Sequence, residues 1–558
     1  MPAKRRQREP CKECIARNRP CEGLYPECDY YRRSVPTKAA LAAEEASGTK
    51  PHRYFLEQHV KKLEEKLERL TEEASSASNL SVGSRAVSKS PSPAVELPPR
   101  PFYPRPAEMT GRWWEPEFLA PSVRDYLVWI TLAFADENHL YFHYPSFLAS
   151  LAEPPDSPQA PHRALLEAMY LVACYYTSIA FPDPNSPYSL VRLENHFLAR
   201  ARKAQNDSLA WCDRLMDNLK GSCLITGYFI KRGRYLEGHH HQSGASRMAL
   251  SCGLHQIVSP IFDPDVQPPL PPALAGQEMT ILLPPPANQI ELADRIMCFW
   301  GIYLRDKVAS IVTGFPPALN EDQDGIIAVL PRPAAEYETD DLRLEETESI
   351  LDVLKATPSG TSTQPALANK RPDSHFTSHI KGMALYERAR TLMNMEQQAP
   401  ERFNQGDVVI IHGAIQVFLE NLPPVRDAIE EGLPFWSSLI SAHTFGLGAL
   451  LELKDRVSQG EQVNAAKQMS RLIVGMPEEE SLKGCCVYGH CWAAGAEALV
   501  AHRQRLLAQR ASEEEIAEVD GAIARLMAAT KKLSGAYPNF AFQLSHVQQL
   551  LEMTSVSE

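Results

Sequence analysis

Apolar residues recur at steps of three and four along most of the chain after about Trp113, and alternating strand patterns are nearly absent. Such steps place apolar side chains on one face of a helix, so the pattern predicts a large all-α domain over residues 113–556. The predicted helical segments are 121–135, 161–180, 190–204, 206–231, 241–255, 288–313, 376–396, 406–422, 433–458, 462–474, 484–509 and 513–533. The Pro-rich stretch 259–287 and the polar stretch 355–375 are predicted to be surface loops.

A separate heptad pattern occupies residues 54–73. Its d positions are Leu56, Leu63 and Leu70, and its a positions are Val60 and Leu67. This seam predicts a short parallel coiled coil that makes the protein a homodimer. About two and a half heptads are few for an isolated coiled coil, so an amphipathic helix packed on the body is the alternative.

Composition divides the rest of the N-terminal part. Residues 36–53 are polar or alanine-rich and are predicted to be a linker, and residues 74–112 are Ser- and Pro-rich, which predicts a disordered linker. Residues 1–35 carry nine basic and five acidic side chains, whereas the whole chain has a net charge of −12. Any contact with nucleic acid is therefore expected to be local to this N-terminal module.

Four cysteines lie close together in that module. Cys11 and Cys14 are separated by two residues, and Cys21 and Cys28 each follow after six more. Four thiolates in so short a segment suit one tetrahedral zinc ion. Free thiols in a disordered tail, or disulfides, are the alternatives. The first residues are basic with no apolar run after them, so no signal peptide is expected and a reducing compartment favours the metal.

The basic residues around these cysteines are candidates for contact with double-stranded DNA. Those within the cysteine cluster are the best candidates, and those before it would contact phosphates or act as a nuclear import signal. The first set is Lys12, Arg17 and Arg19, and the second is Lys4, Arg5, Arg6 and Arg8.

The helical part shows no sign of catalysis. It contains no glycine-rich phosphate loop, no G-x-S-x-G and no H-E-x-x-H, so an enzyme is not expected. The run His239–His241 is not expected to bind metal, because adjacent side chains point in different directions on a helix. In the group Cys485, Cys486, His490 and Cys491, Cys486 and His490 are four residues apart, but the surroundings are apolar helix, so metal is not expected there either. The eight cysteines outside the N-terminal module are expected to be buried structural thiols. No apolar run reaches the length of a membrane-spanning helix, so no membrane partner is expected.

The spacing Cys11-x2-Cys14-x6-Cys21 resembles half of the fungal zinc binuclear cluster, in which six cysteines hold two zinc ions. Read as the first half, the motif gains Cys28 as a fourth ligand and lacks the last two cysteines. Read as the second half, it would follow three cysteines encoded upstream of Met1. As written, the chain can hold one zinc and not two.

Three later stretches resemble the helical regulatory domain that follows this cluster in fungal transcription factors. The first stretch contains Phe142, Pro145, Ser146 and Phe147. The second contains Gly233, Ala245, Arg247, Ala249, Gly253, Leu254 and His255. The third contains Arg295, Phe299, Trp300, Tyr303, Asp306, Ser310, Gly314 and Pro317. The aromatic residues of the third stretch are expected in the core, and Arg295 and Asp306 are expected in buried or half-buried ion pairs that fix helix packing.

The resemblance implies a nuclear, zinc-dependent, DNA-binding regulator of RNA polymerase II genes whose helical domain responds to a small-molecule or protein effector. The alternative is a helical interaction protein whose DNA-binding cluster has degenerated.

Overall fold

A computed structural model describes residues 97, 101, 104, 106–135, 138–181, 183, 185–186, 189–265, 282–339, 341–344, 347–357, 373–425, 436–474, 485–534 and 537–555. The chain divides into two units, Met1–Ala86 with Ile179–Phe181, and Val87–Ser178 with Pro182–Glu558. The described helical body belongs to the second unit. The predicted N-terminal module, coiled coil and most of both linkers lie outside the described residues.

Sixteen α-helices occur in the described residues. They are α1 (Pro121–Ala133), α2 (Tyr144–Ala152), α3 (Arg163–Ala180), α4 (Glu194–Trp211), α5 (Leu215–Lys231), α6 (Tyr235–Ser251), α7 (Gln289–Thr313), α8 (Ala334–Glu338), α9 (Ile350–Leu354), α10 (His375–Gln398), α11 (Gln405–Asn421), α12 (Trp436–Glu452), α13 (Gln459–Val474), α14 (Tyr488–Ala508), α15 (Glu513–Leu533) and α16 (Pro538–Ser555). No strand occurs among these residues, and one isolated antiparallel bridge joins Val329 to Ser349. The predicted all-α class is confirmed for this part of the chain.

Helix α7 is the central element of the body. The side chain of Asn288 caps its first turn by accepting from the Glu291 N–H, and Gly314 ends it with φ of 74°. Nearly every side chain between the caps is buried, which is typical of a helix surrounded by other helices. The aromatic residues Phe299, Trp300 and Tyr303 are completely buried, as predicted.

Gly301 lets another segment approach α7 closely. A Cβ atom at this position would lie 2.4 Å from the carbonyl oxygen of His139, which is backbone and cannot swing aside. The turn before α2 therefore rests directly on α7 because residue 301 has no side chain.

The C-terminal half is a bundle built on α10 and α12, with α14 packed against α12, α13, α15 and α16. Helix α7 contacts α10, so this pair of helices joins the two halves of the body. Helix α15 begins at a capping box, in which the side chains of Ser512 and Glu515 bond to each other's backbone N–H groups.

The largest difference from the predicted helix boundaries lies near residue 212. The segment 206–231 was expected to be one helix, but it breaks between α4 and α5, where Cys212 and Arg214 adopt φ of 49° and 44°. No glycine or proline marks this break, so periodicity alone missed it. The pattern also missed α16, the short helices α8 and α9, and α2, which was recognised only as a motif.

Candidate functional site: a buried charged junction

Lys307 on α7 is the centre of a buried charged junction. Its ammonium nitrogen lies 2.6 Å from Glu321 Oε1 and 3.4 Å from Glu387 Oε2, and it donates to the Leu319 carbonyl at 2.9 Å. The lysine is 0% exposed, and the two glutamates are 3% and 4% exposed. A buried lysine keeps its charge only with such partners, and the two carboxylates raise its pKa despite the desolvation.

Glu321 is shared between the two halves of the body. It accepts from the Tyr303 hydroxyl at 2.6 Å, and Arg388 Nη2 lies 3.1 Å from its second oxygen. Burial alone would raise its pKa, but Lys307 and Arg388 together lower the pKa of Glu321 to about 2. The carboxylate is therefore ionised at neutral pH and acts as a fixed anion between α7 and α10.

Asp306, the neighbour of Lys307, anchors the loop after α7. Its oxygens accept from the backbone N–H groups of Ala318 and Leu319 at 3.1 and 2.9 Å and from the Ser246 hydroxyl at 3.1 Å. Burial raises the pKa of Asp306 to about 6, against the opposing influence of Lys307 and these donors. One side chain thus connects α6, α7 and the loop that carries Glu321.

The structure brings the second and third predicted stretches together at this junction. Gln242 on α6 donates to the Ile302 carbonyl of α7 at 2.9 Å, and Arg247 pairs with Asp324 in the following turn at 3.0 Å. The first stretch lies against α5, since the Lys220 ammonium of that helix sits 4.9 Å from the centre of the Phe142 ring. Lys220 also pairs with Asp294 of α7 at 2.5 Å. The three motifs are contacts of one packed core rather than separate sites.

One expectation for this region is met only in part, since Arg295 forms a half-buried ion pair, but within its own helix. Arg295 and Asp306 are both buried, but Arg295 pairs with Glu291 one turn away on α7 at 2.5 Å. Asp306 instead bonds to Ser246 and to loop N–H groups. The ion pairs that connect α7, α10 and the loop at this junction are those of Lys307 and Arg388, which were not singled out. A lysine within the apolar pattern of α7 was the available signal, but its partners lie 14 and 80 residues away in sequence.

The junction holds charges in place. Because these ion pairs are buried, they add little net stability, yet removal of one member leaves an uncompensated charge. Such a network favours one arrangement of α6, α7 and α10 over others.

The predicted metal and DNA residues are not described by the structure. Cys11, Cys14, Cys21, Cys28 and the seven basic candidates, like the heptad of 54–73, fall outside the described residues. Among the residues that are described, no three His, Cys, Asp or Glu side chains are placed to hold a metal ion.

Among the histidines considered above as metal ligands, His239 and His490 each have a polar neighbour in the helical body. His239 Nε2 lies 3.3 Å from the Pro316 carbonyl, and burial lowers the pKa of His241 to about 4. His490 Nδ1 lies 3.0 Å from the Gln543 amide nitrogen, and burial lowers the pKa of that histidine to about 3. Five of the eight later cysteines are buried as expected, but Cys212 is exposed and Cys252 and Cys485 are half-buried.

One known protein family matches part of the helical body. Residues 132–349 match the family described as fungal specific transcription factor domain, a regulatory-domain family and not an enzyme family. The match covers all three motif stretches and the Lys307–Glu321 part of the junction, and it ends before α10. It suggests a transcription regulator. No curated protein matches the chain significantly. No solved structure does so either. None of the helices in the described ranges has the length and hydropathy to span a bilayer.

Proposed function

We propose that this protein is a nuclear, zinc-dependent DNA-binding regulator of RNA polymerase II genes. The observation that carries the proposal is the match of residues 132–349 to a transcription-factor domain, downstream of a basic segment with four closely spaced cysteines. Each feature alone has other readings, but their order is that of a DNA-binding head followed by a regulatory body.

In this proposal Cys11, Cys14, Cys21 and Cys28 hold one zinc ion, and the folded module presents basic side chains to duplex DNA. Lys12, Arg17 and Arg19 make the closest contacts, and the four earlier basic residues Lys4, Arg5, Arg6 and Arg8 contact phosphates or serve nuclear import. Pairing through residues 54–73 would bring two heads together and set the distance between their half-sites.

The helical body would bind a small-molecule or protein effector and pass the signal through helix packing. The charged junction supports this role because it ties α7 of the matched domain to α10 beyond it. A ligand shifts such an equilibrium only by binding one arrangement better than another.

A second candidate is a helical interaction protein that has lost DNA binding. The sequence gives this candidate specific support, since only one complete half of the two-zinc motif is present. The four cysteines would then be remnants, and the helical body would act by binding partners.

Zinc content separates the two candidates. The purified full chain should retain about one tightly bound zinc per chain after dialysis, because four thiolates saturate one tetrahedral ion. Elemental analysis measures it, with Cys14→Ser expected to lose the metal and Cys212→Ser, at an exposed site outside the module, expected to keep it. Two equivalents, or none, would refute the single-zinc module.

A further inference from the structure

The turn between α2 and α3 carries a serine that is directly followed by proline. Ser157 is half-buried, whereas Pro158 and residues 153–156 are exposed. The Ser157 hydroxyl donates to Gln159 Oε1 at 2.7 Å and to Glu153 Oε2 at 3.4 Å, and both contacts lie at the protein surface. The turn therefore presents this hydroxyl and the following proline ring to solvent together.

A serine before proline is the pattern that proline-directed protein kinases phosphorylate, and such a kinase must reach both residues. Six Ser-Pro or Thr-Pro dipeptides occur in the chain. The structure describes both residues for two of them, Ser157–Pro158 and Ser259–Pro260. Both serines are half-buried, so the surroundings of the two prolines distinguish the sites.

The dipeptide Ser259–Pro260 is held against helix α7. Pro260 is buried, and its carbonyl oxygen accepts from Gln289 Nε2 at 2.7 Å. Gln289, the first residue of α7, also accepts from the Phe262 N–H at 2.8 Å through its side-chain oxygen. A kinase could therefore reach Pro260 only after this segment leaves α7, whereas Pro158 is already exposed.

A cation lies beside Ser157 at the break between α4 and α5. Arg214 Nη1 donates to the carbonyl oxygens of Ser157 and Ala160 at 3.3 and 2.9 Å. Its Nε and Nη2 atoms donate to the two carboxylate oxygens of Asp213 at 3.0 and 2.7 Å. A guanidinium binds a phosphate in two-pronged geometry and more strongly than a neutral carbonyl, so Arg214 suits a phosphate carried by Ser157.

We propose that Ser157 is a phosphorylation site for a proline-directed protein kinase and that Arg214 binds the resulting phosphate. This inference goes beyond the proposed function and does not depend on it. The co-reactant is the nucleoside triphosphate ATP with its magnesium ion, and the kinase supplies both.

The transfer is balanced in bonds and protons. The Ser157 hydroxyl oxygen attacks the γ-phosphorus of ATP, so a new phosphorus–oxygen bond forms while the bond from that phosphorus to the bridging oxygen breaks. ADP leaves with the electron pair of the broken bond, and the serine proton passes to the catalytic carboxylate of the kinase.

The added charge would act at the end of α2 and at the break between α4 and α5. A phosphoserine carries about −1.5 to −2 charges at neutral pH. It would compete with Asp213 for Arg214 and would repel Glu153, which caps the C-terminal end of α2. Arg214 is held at a positive φ of 44°, so a change of its partner would act on a backbone that its surroundings fix.

The site is tested by incubating the zinc-loaded full chain with a purified proline-directed kinase and magnesium ATP, followed by phosphopeptide mapping in a mass spectrometer. We expect phosphate at Ser157. Ser259 should be modified more than about tenfold more slowly, because its segment must first break two hydrogen bonds to Gln289.

Two matched variants identify the modified residue. Ser157→Ala should remove the mapped phosphate, and Ser259→Ala should leave it unchanged. An unmodified Ser157, or a Ser259 that is modified as fast as Ser157, would overturn the proposal. The wild-type map decides the matter even where a variant fails to fold.

The role of Arg214 is tested by a phosphorus NMR titration. The five other serines and threonines that precede proline are replaced by alanine, so that one phosphoserine signal remains. The second pKa of a phosphoserine is about 6. We expect it to be about 1 pH unit lower with Arg214 present than in Arg214→Gln, because the guanidinium favours the dianion. The same pKa in both proteins would show that Arg214 does not bind the phosphate.

Discussion

Lys307 neutralises two buried glutamates, so its replacement is the sharpest test of the junction at the residue scale. Lys307→Met keeps the volume but leaves Glu321 and Glu387 without their shared cation, and we expect the loss to be about 3–5 kcal/mol. Urea denaturation of both proteins measures the difference. Lys355→Met is the control, because Lys355 is largely exposed where it meets Asp322, and its loss should stay within about 0.5 kcal/mol. Equal stability of the two variants would contradict a buried ionic junction.

Asp306 gives the junction a pH dependence of defined sign. Its folded pKa of about 6 lies above its ordinary value of 3.8, so folding favours the protonated form. The stability that Asp306 contributes is fully present below its ordinary pKa of 3.8 and is lost as the pH rises through about 6. Between pH 5 and pH 7 the stability of the wild type relative to Asp306→Asn should therefore fall by about 1 kcal/mol.

Urea midpoints at several pH values measure this trend. The variant removes the titrating group and shares all other ionisable groups with the wild type, so their difference isolates Asp306. A difference that grows with pH would instead show that Lys307 and the loop N–H groups keep the carboxylate ionised.

Some residues of the charged junction could be predicted from the sequence. Asp306 and the aromatic residues of α7 could be predicted because they lie close together in sequence on one helix. The pairing of Lys307 with Glu387 could not be read from the chain, because 80 residues and α10 intervene. Spacing rules describe neighbours on one helix, and they say nothing of which distant carboxylate meets a buried cation.

At the element scale, replacing either of two helix glycines by alanine should have opposite effects on stability. Gly301→Ala places a methyl group 2.4 Å from the His139 carbonyl oxygen, so α7 and the turn before α2 must separate, and a loss of about 1–3 kcal/mol is expected. Gly244→Ala on α6 meets no atom within 4 Å and should stabilise by about 0.5–1 kcal/mol through helix propensity. Thermal unfolding compares the two. A neutral Gly301→Ala would show that the turn does not rest on α7 as described.

The predicted coiled coil is tested by breaking its helix. Leu63→Pro removes a backbone donor at a d position, so a dimer that depends on residues 54–73 should become a monomer. Sedimentation of the full chain measures the mass, and Glu65→Ala at the outward f position is the control that should stay dimeric. If Leu63→Pro remains a dimer, the interface lies elsewhere.

Helix boundaries were predictable where a local signal ended the helix. The segment 513–533 coincides with α15 because Ser512 and Glu515 form a capping box, and α7 ends at Gly314 as expected. The break at Cys212 and Arg214 was missed because ordinary residues adopt positive φ there, held by their surroundings. Tertiary contacts hold these two residues at positive φ, and no local sequence pattern predicts that conformation.

At the scale of the whole molecule, charge separates a basic N-terminal module from an acidic remainder. The match of residues 132–349 suggests a transcription regulator, and the proposal assigns DNA contact to residues 1–35 alone. Binding should then arise mainly from phosphate contacts and weaken steeply with salt, with a log–log slope near −0.9 per neutralised phosphate. A single zinc module makes few base contacts, so one head alone should discriminate sequences poorly.

The most direct measurement is the affinity of the zinc-loaded full chain for duplex DNA as salt is varied. We predict zinc-dependent binding at low salt that a chelator reduces to weak non-specific attraction. Replacing Arg17 and Arg19 together by Ala should weaken binding and flatten the salt slope by up to about two units if both contact phosphate. Lost sequence preference with an unchanged slope would mean that one of them reads a base edge. No binding at low salt with zinc present would contradict the account and leave the helical interaction protein as the function of this chain.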